Sequence, residues 1–420
     1  VRELDTSNIL EQHQANLDWR LASTTKVLSC DYALEKLGPT FQFETNLSYK
    51  GTINNGVLKG DLYFTGNGDP SFLTNNLMDM SVALRKLKIE KVDGTIFFPK
   101  ELKQIISKQG TLDEPYNPSV GLLNTNFNRW TFYQEEVIPP FDHIQMQESN
   151  EGFYYDQRFR FEEAQGVEKW LYSAKIHYRG QTDAAIRKPH LYTTKAFQYI
   201  LNLWGIESKK VKEMKSFDEL PLWSSEIFQH KSLPLMELCS QALEYSNNLF
   251  TEAILMKAAN SYNIKTAVNH LKKMYKWKNF QLDSGSGLTY TNKAPANDMT
   301  YFLQQRALHQ YDGKRGLLSL LSGNGVNGFM ANRMIDKDMY LRSWSKTGSL
   351  DYVNNIIGVL FPQSKKPIVY FIGLTHESSR QLIEKPLSQR TDTPGMSPGS
   401  FRRLADEAID QIITYLSTKH

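Results

Sequence analysis

The chain has 420 residues, of which 40% are hydrophobic and 22% charged, and its formal net charge is +4. This length allows two or three domains, and the composition is typical of an ordinary globular protein. The positive residues are scattered rather than gathered into a basic stripe, so no nucleic-acid partner is predicted, and no run of about 18 apolar residues predicts a transmembrane helix.

The first strong element is a helix that begins near Ser23, after a polar stretch, residues 1–22, with helical hints. Apolar residues recur at helical spacing from Val27 to Leu37, and Gly38-Pro39 ends the pattern. Ser23 and Lys26 are three residues apart, so both lie on one helical face. A hydroxyl beside an amine at a helix N-terminus can supply a nucleophile, a base and backbone N–H groups for an oxyanion. The alternative is a simple serine N-cap.

The middle of the chain changes to a period of two. Alternation from Phe41 to Tyr49 and a second run, Val57–Thr65, predict a hairpin around Asn54-Asn55-Gly56. Later signals alternate without a repeat: they predict helices over Met78–Leu87 and Tyr192–Trp204, a strand over Gly94–Phe98, and loop or linker at Pro139-Pro140 and Lys209–Lys215. The histidines here are isolated, so neither a metal site nor a cofactor is predicted.

A helical pattern returns at Leu233 and is interrupted by Tyr245-Ser246-Asn247-Asn248 before it resumes. Small polar residues within a buried pattern are typical of a turn that faces a cleft, which makes Ser246 and Asn248 candidate site residues. The alternative is an ordinary helix junction with an asparagine cap.

The last part of the chain predicts strands followed by a helix. A strand from Tyr340 to Trp344 runs into Lys346-Thr347-Gly348-Ser349, and strands over Val353–Phe361 and Ile368–Leu374 follow. An amphipathic helix around Leu404–Leu416 ends the chain. An early helix, late strands and a final helix predict an antiparallel sheet covered by helices.

The only two cysteines, Cys30 and Cys239, exclude a disulfide-rich scaffold and a cysteine-built zinc site. Each lies seven residues from a candidate serine, Ser23 or Ser246. If those serines meet, the two thiols are expected to lie near each other. Two buried free thiols are the commoner case, and a disulfide is the alternative.

Lys346, Thr347 and Gly348 each have a use on an edge strand that lines a cleft. The lysine supplies positive potential, and the threonine supplies a hydroxyl that can donate to a substrate carboxylate. The glycine has no side chain and so allows a substrate backbone to come close. The motifs Ser-x-x-Lys, Ser-x-Asn and Lys-Thr-Gly thus occur in the order known for penicillin-binding proteins. Each motif alone is weak, but the three in order are a strong signal.

With these motifs the sequence resembles the PBP4-like, class C low-molecular-mass penicillin-binding proteins, the D-alanyl-D-alanine carboxypeptidase/endopeptidases of peptidase family S13. Further segments resemble that family: Asn55–Leu62, Gly68-Asp69-Pro70, Asp283–Leu288 and Lys346–Leu350. The resemblance implies an α/β (α+β) fold of the transpeptidase/β-lactamase type, formed by residues 1–45 and 230–420. Residues 46–229 are then an inserted region, which is short for two full domains, so its innermost domain is expected to be reduced.

The resemblance also implies residue roles in a serine D,D-peptidase. Ser23 would form the acyl-enzyme, Lys26 would take its proton, and Ser246 would relay a proton to the leaving amine. Asn248 would bind the substrate amide and help to hold Lys26. Lys346 and Thr347 would receive the terminal carboxylate on a strand continued by Gly348 and Ser349. The backbone N–H groups of Ser23 and Ser349 would form the oxyanion hole.

The implied partners are peptidoglycan stem peptides and cross-links, with β-lactam antibiotics as covalent inhibitors and no nucleic acid. No protein regulator can be named. The expected location is periplasmic or otherwise extracytoplasmic, with a signal peptide presumed removed. Two alternatives stay open: a β-lactamase or esterase with the same serine and lysine, which would release a penicilloyl group quickly, and a non-catalytic peptidoglycan-binding or sensor protein.

Overall fold

The computed structural model describes residues 1–6, 8–107, 113–133, 138–149, 159–164, 167–173, 181–216, 224–364, 366–385 and 394–420. The chain divides into two compact units. The first contains Val1–Phe41, Ser107–Gly110 and Leu235–His420, and the second contains Gln42–Ile106 and Thr111–Pro234. That residues 46–229 are an inserted region with a reduced innermost domain stays a prediction.

The α-helices of the described chain are α1 Thr25–Leu37, α2 Thr74–Lys86, α3 Pro189–Leu203, α4 Leu235–Glu244, α5 Asn248–Ala258, α6 Ile264–Tyr275, α7 Ala296–Ala307, α8 Glu377–Glu384 and α9 Pro398–Lys419. Helices α2 and α3 belong to the second unit and the others to the first. In the described parts of the chain, no helix has the length and apolar character that crossing a membrane requires.

The first unit is built on a five-stranded antiparallel sheet. Its strands are, in spatial order, Arg2–Glu3, Ile368–Thr375, Val353–Leu360, Ser343–Leu350 and Ser322–Gly323. Val353–Leu360 is buried along its whole length, and its two asparagines are accommodated there because their side chains donate hydrogen bonds, Asn354 to Asp406 and Asn355 to the Arg20 carbonyl. Helix α9 covers one face through Ile409, Ile413 and Leu416, which pack in one cluster with Ile356 and Tyr370 of the sheet.

Helix α1 begins and ends as its sequence predicts. A 3-10 turn, Ala22–Thr24, leads into the helix, so Ser23 lies in the turn just before α1. Gly38 ends the helix with a positive φ of 81°, a conformation that favours glycine. The residues from Thr25 to Leu34 are all buried. Lys26 is therefore inside the protein.

The second unit contains a mixed five-stranded sheet. Its strands, in spatial order, are Glu207–Glu213, Lys91–Phe98, Val57–Gly66, Glu44–Asn54 and Ser225–Lys231. The predicted hairpin is confirmed, because Glu44–Asn54 pairs antiparallel with Val57–Gly66 around Asn55 and Gly56. Helices α2 and α3 contribute Leu77, Leu84, Phe197 and Leu201 to the core of this unit.

Two local predictions are wrong. The lysine-rich segment predicted to be loop or linker contains most of the strand Glu207–Glu213, which pairs in parallel with Lys91–Phe98. This is an edge strand, and exposed lysines are a common means of protecting such an edge from aggregation. Residues 1–22 form short strands, Arg2–Glu3 and Asp18–Arg20, rather than a helix, because both pair with strands from distant parts of the chain.

Shorter strands complete the described part of the second unit. They form one sheet of Phe159–Ala164, Val167–Ser173 and Ile144–Ser149, and the pairs Arg129–Tyr133 with Gln181–Ala185 and Gln104–Ile105 with Ser119–Val120. An aromatic cluster that includes Trp130, Phe159 and Trp170 supplies their core.

Candidate active site

The first two motif residues meet as the sequence predicts. Lys26 Nζ lies 2.8 Å from Ser23 Oγ. It also donates to Asn248 Oδ1 at 2.7 Å and to the Ser286 carbonyl oxygen at 2.7 Å. The lysine therefore joins the start of α1, the start of α5 and the Asp283–Leu288 segment, although these lie far apart in the sequence.

The environment of Lys26 favours its neutral amine. The side chain is completely buried, and burial, together with repulsion from Lys346, holds the pKa of Lys26 well below its usual range. Burial also lowers the pKa of Lys346 to about 7. A neutral amine has a lone pair and can accept the proton of a serine hydroxyl, whereas an ammonium group cannot.

The Asp283–Leu288 segment packs against the Ser23–Lys26 turn and the first turns of α1. The Asn292 side chain ties the segment together, because Oδ1 accepts from the Asp283 N–H at 2.7 Å and Nδ2 donates to the Ser284 carbonyl at 2.8 Å. Ser29 Oγ donates to the Gly285 carbonyl at 2.8 Å. Gly287 has a φ of +77°, and a Cβ atom there would lie 1.7 Å from the Ala22 carbonyl oxygen. Only glycine fits against the turn at this position.

We expect Gly287→Ala to lower the free energy of unfolding by about 2–4 kcal/mol, because it combines backbone strain with a steric clash. It should also displace the turn that carries Ser23 away from the segment. Gly313→Ala is the matched control, since Gly313 has a φ of +74° but no described atom within 4 Å of the place that a Cβ would take. Chemical denaturation of both variants separates strain from clash. Equal losses of stability would show that the contact with Ala22 does not matter.

The second motif lies where α4 meets α5. Ser246 lies in the intervening turn with a positive φ of 53° and is half-buried. Asn247 caps α5, since its side chain accepts from the Phe250 N–H at 3.2 Å. Asn248 is thereby placed at the first turn, where it reaches Lys26. Within the described residues no hydrogen bond of the Ser246 hydroxyl is seen, so its proton-relay role stays a prediction.

The third motif lies on the strand Ser343–Leu350. This strand pairs with Val353–Leu360 along its whole length, but on the other side its described partners are limited to Ser322 and Gly323, opposite Ser345 and Trp344. The half of the strand from Lys346 onward thus has an open edge within the described sheet. Lys346 Nζ donates to the Thr347 carbonyl at 2.8 Å and lies 5.8 Å from the centre of the Phe329 ring.

The remaining residues of this strand differ in what they contact. A Cβ atom at Gly348 would lie 2.8 Å from Thr24 N and 3.0 Å from Ser23 N. The sequence predicted that this glycine allows a substrate backbone to approach. The structure shows instead that the backbone close to Gly348 is that of the Ser23 turn. Ser349 Oγ donates to Asn354 Oδ1 at 3.0 Å, and Thr347 is half-buried next to Lys346.

Two residues near the site are absent from the motifs. Glu252 is completely buried in α5 and accepts the backbone N–H groups of Gly285 and Ser286. Its signal in the sequence is a lone acidic residue inside the apolar run Leu249–Met256. Phe329 covers Lys346 and is 49% exposed. Sequence spacing offers no signal for Phe329.

The cysteines lie together, as the spacing of the motifs predicts. Cys30 of α1 and Cys239 of α4 are both buried and free. Burial, and a hydrogen bond that the Cys239 thiol donates to the neighbouring Cys30, raise the pKa of Cys239 well above its usual range. The two sulfur atoms are thus close, as two free thiols.

Comparison with known proteins gives one family match. A family model described as the D-Ala-D-Ala carboxypeptidase 3 (S13) family matches residues 1–107 and 177–393. D-alanyl-D-alanine carboxypeptidase DacB of Haemophilus influenzae is 24% identical, with 86% of this chain and 81% of that protein covered.

Solved structures agree in fold. Penicillin-binding protein 4 (dacB) from Haemophilus influenzae has a TM-score of 0.75 at 21% identity, covering 97% of this chain and 95% of that chain. The same protein is also known in complex with a novel β-lactam. A predatory peptidoglycan endopeptidase from Bdellovibrio bacteriovorus has a TM-score of 0.58 at 13% identity, covering 99% of this chain and 90% of that chain. The predicted antiparallel sheet with covering helices is confirmed.

Proposed function

Because this chain belongs to the D-Ala-D-Ala carboxypeptidase 3 (S13) family of serine peptidases, we propose that its active site is the cluster around Ser23 and Lys26. We further propose that it cleaves both the terminal D-Ala-D-Ala bond and the D-Ala-diaminopimelate cross-link of peptidoglycan. One observation carries the assignment of the site: a buried lysine, its pKa far below the usual range, is hydrogen-bonded to a serine hydroxyl.

The hydrogen bonds of Lys26 suggest how it would act as a base. A neutral amine has two N–H donors and one lone pair. Asn248 Oδ1 and the Ser286 carbonyl can only accept, so they take the two N–H groups. The lone pair is then left for the Ser23 hydroxyl, which is the remaining neighbour at 2.8 Å. This arrangement makes the hydroxyl the donor and the amine the acceptor at the start of the reaction.

The reaction then proceeds through an acyl-enzyme. Ser23 Oγ attacks the carbonyl carbon of the penultimate D-alanine while its proton moves to Lys26 Nζ. The oxyanion is held by the backbone N–H groups of Ser23 and Ser349. The C–N bond breaks when the leaving amine receives a proton through Ser246. Water then attacks the ester carbonyl and gives a proton to Lys26, which returns it to Ser23 Oγ as the C–O bond of the ester breaks.

Lys346 and Thr347 bind the terminal carboxylate of the substrate. The open edge of the strand from Lys346 onward leaves room for an extended peptide beside it. Lys346 with a pKa of about 7 is partly protonated near neutral pH and can pair with a carboxylate. Gly348 and Ser349 continue this strand toward the oxyanion position.

The location and inhibitors follow from the substrate. Peptidoglycan lies outside the cytoplasmic membrane, so we place the protein in the periplasm or another extracytoplasmic compartment. A β-lactam imitates the D-Ala-D-Ala bond and leaves an ester on Ser23. The β-lactam complex of the Haemophilus influenzae relative is consistent with this.

Digestion of purified cross-linked muropeptides tests the proposed specificity. We expect mass spectrometry to show monomers from cleaved cross-links and, separately, the loss of one D-alanine from pentapeptide stems. Intact cross-links after complete removal of the terminal D-alanine would restrict the activity to carboxypeptidation. A penicilloyl group released within seconds would instead favour a β-lactamase, and no reaction with any of these substrates would favour a binding or sensor protein.

A further inference from the structure

Glu252, which belongs to none of the three motifs, is a buried carboxylate next to the backbone segment that contacts Lys26. Glu252 is completely buried in α5, one helical turn after Asn248. Burying a charge is costly unless hydrogen bonds or an opposite charge compensate it. The helix places Asn248 and Glu252 on the same face, because residues four apart are neighbours on a helix surface. α5 therefore presents both side chains toward the surroundings of Lys26.

The contacts of Glu252 lead to the lysine through one peptide unit. Oε2 accepts the Gly285 N–H at 3.0 Å, and Oε1 accepts the Ser286 N–H at 2.7 Å. The carbonyl of Ser286 in turn accepts from Lys26 Nζ at 2.7 Å. Burial raises the pKa of Glu252, whereas the Gly285 and Ser286 N–H groups, the Ser286 hydroxyl and the charge of Lys26 act to lower it and favour the ionised carboxylate.

The glycine at position 285 allows this contact. A Cβ atom at Gly285 would lie 3.2 Å from Glu252 Oε2 and 2.5 Å from Leu255 Cδ2. A larger residue would require the Leu255 side chain to move and would crowd the Glu252 carboxylate. The Gly285–Ser286 backbone and the carboxylate therefore fit together closely.

We propose that Glu252 is a positioning residue for the serine–lysine chemistry. It fixes the Gly285–Ser286 backbone so that the Ser286 carbonyl holds one N–H of Lys26 and leaves the amine lone pair aimed at Ser23. Its carboxylate also places a negative charge close enough to Lys26 to act on that amine. This inference rests on the proposed function, in which Lys26 is the base of acylation.

The charge adds a second effect on Lys26. Burial lowers the pKa of Lys26 most, and Lys346 on the neighbouring strand lowers it further. Glu252 from α5 and the Cys30 thiol from α1 act in the opposite direction and raise that pKa. Glu252 thus keeps the pKa of Lys26 high enough for the amine to be an effective base, while burial keeps that pKa low enough for the amine to be unprotonated before the reaction.

The test is the pH dependence of acylation by a fluorescent penicillin in the Glu252→Gln variant. Removing the negative charge lowers the pKa of Lys26, so the pH below which acylation is lost should move down by about one unit. The maximal rate should fall about tenfold, because one amide N–H of glutamine would face a backbone N–H. Ser29→Ala is the matched control: it removes a hydrogen bond to the same segment at Gly285 without changing any charge.

The outcomes separate this inference from the proposed function. A shifted acid limb in Glu252→Gln but not in Ser29→Ala supports the role of Glu252. An unshifted acid limb in Glu252→Gln, with the wild-type protein still acylated, overturns it. Absence of acylation in the wild type at every pH overturns the proposed function instead. If Glu252→Gln does not fold, Glu252→Asp replaces it, with a smaller shift expected in the same direction and an unshifted limb again overturning the inference.

Discussion

Replacing Ser23 with alanine should abolish covalent labelling by a fluorescent penicillin and lower D,D-peptidase turnover by at least about 10³-fold. The hydroxyl is the proposed nucleophile, and removing the nucleophile of a serine peptidase removes the covalent pathway rather than weakening it. Ser23 is only partly buried and precedes α1, so the loss of one oxygen atom leaves the surrounding packing intact. Intact-protein mass spectrometry after incubation with penicillin measures the adduct directly.

Substrate binding provides the control for this variant. The carboxylate contacts proposed for Lys346 and Thr347 do not involve the Ser23 hydroxyl, so the Kd for a D-Ala-D-Ala peptide should change by less than about threefold. Peptide mapping of the wild-type adduct should find the penicilloyl group on Ser23. A penicilloyl group on another serine, or an adduct that persists in Ser23→Ala, would show that the nucleophile is wrongly assigned.

Replacing Lys26 with methionine should lower the acylation rate by about 10³-fold, within the range that general-base catalysis usually contributes. Methionine is close to lysine in length and suits a buried site, but it has no lone pair of comparable basicity for the Ser23 proton. The loss should persist at every pH, because the group whose titration controls the acid limb is gone. Stopped-flow acylation by a chromogenic β-lactam from about pH 5 to pH 10 measures this.

Lys36→Met is the matched control for the lysine variant. Lys36 lies in the last turn of α1 and is exposed, whereas Lys26 lies in the first turn and is buried. We expect acylation by Lys36→Met to equal that of the wild type at every pH. Far-UV circular dichroism of both variants checks that the secondary-structure content of the wild type is retained. Acylation retained by a folded Lys26→Met protein would transfer the role of base to another group, of which Lys346 is the first candidate.

Most of the fold could be predicted from periodicity. The helix after Ser23, the hairpin around Gly56 and the strands Val353–Leu360 and Ile368–Thr375 are confirmed, because the spacing of their apolar residues suits the structure that they form. The strand predicted over Tyr340–Trp344 begins only at Ser343 and continues through Lys346 to Leu350. The family prediction is also confirmed by the match over most of the chain. The edge strand Glu207–Glu213 was missed, since a charged strand at the edge of a sheet buries too little to show the alternation.

The motifs predicted most of the residues proposed to react or to bind substrate, but not the residue that positions them. Ser23, Lys26 and Asn248 meet as predicted, and Lys346 is close enough to lower the pKa of Lys26. Glu252 was missed because its partners are backbone N–H groups, which every sequence contains at every position. A side-chain contact with the backbone does not require a particular residue type in its partner, so it produces no sequence motif.

The residues of the three motifs determined which functional groups are available: three hydroxyls, two amines and an amide oxygen. Which of those groups became a base was decided only when α1, α5 and the segment at Ser286 packed around Lys26. A lysine on an exposed helix is an ammonium group at neutral pH, and the same residue without water becomes a neutral amine. Burial is a property of distant residues brought together, so the sequence near Lys26 could not specify it.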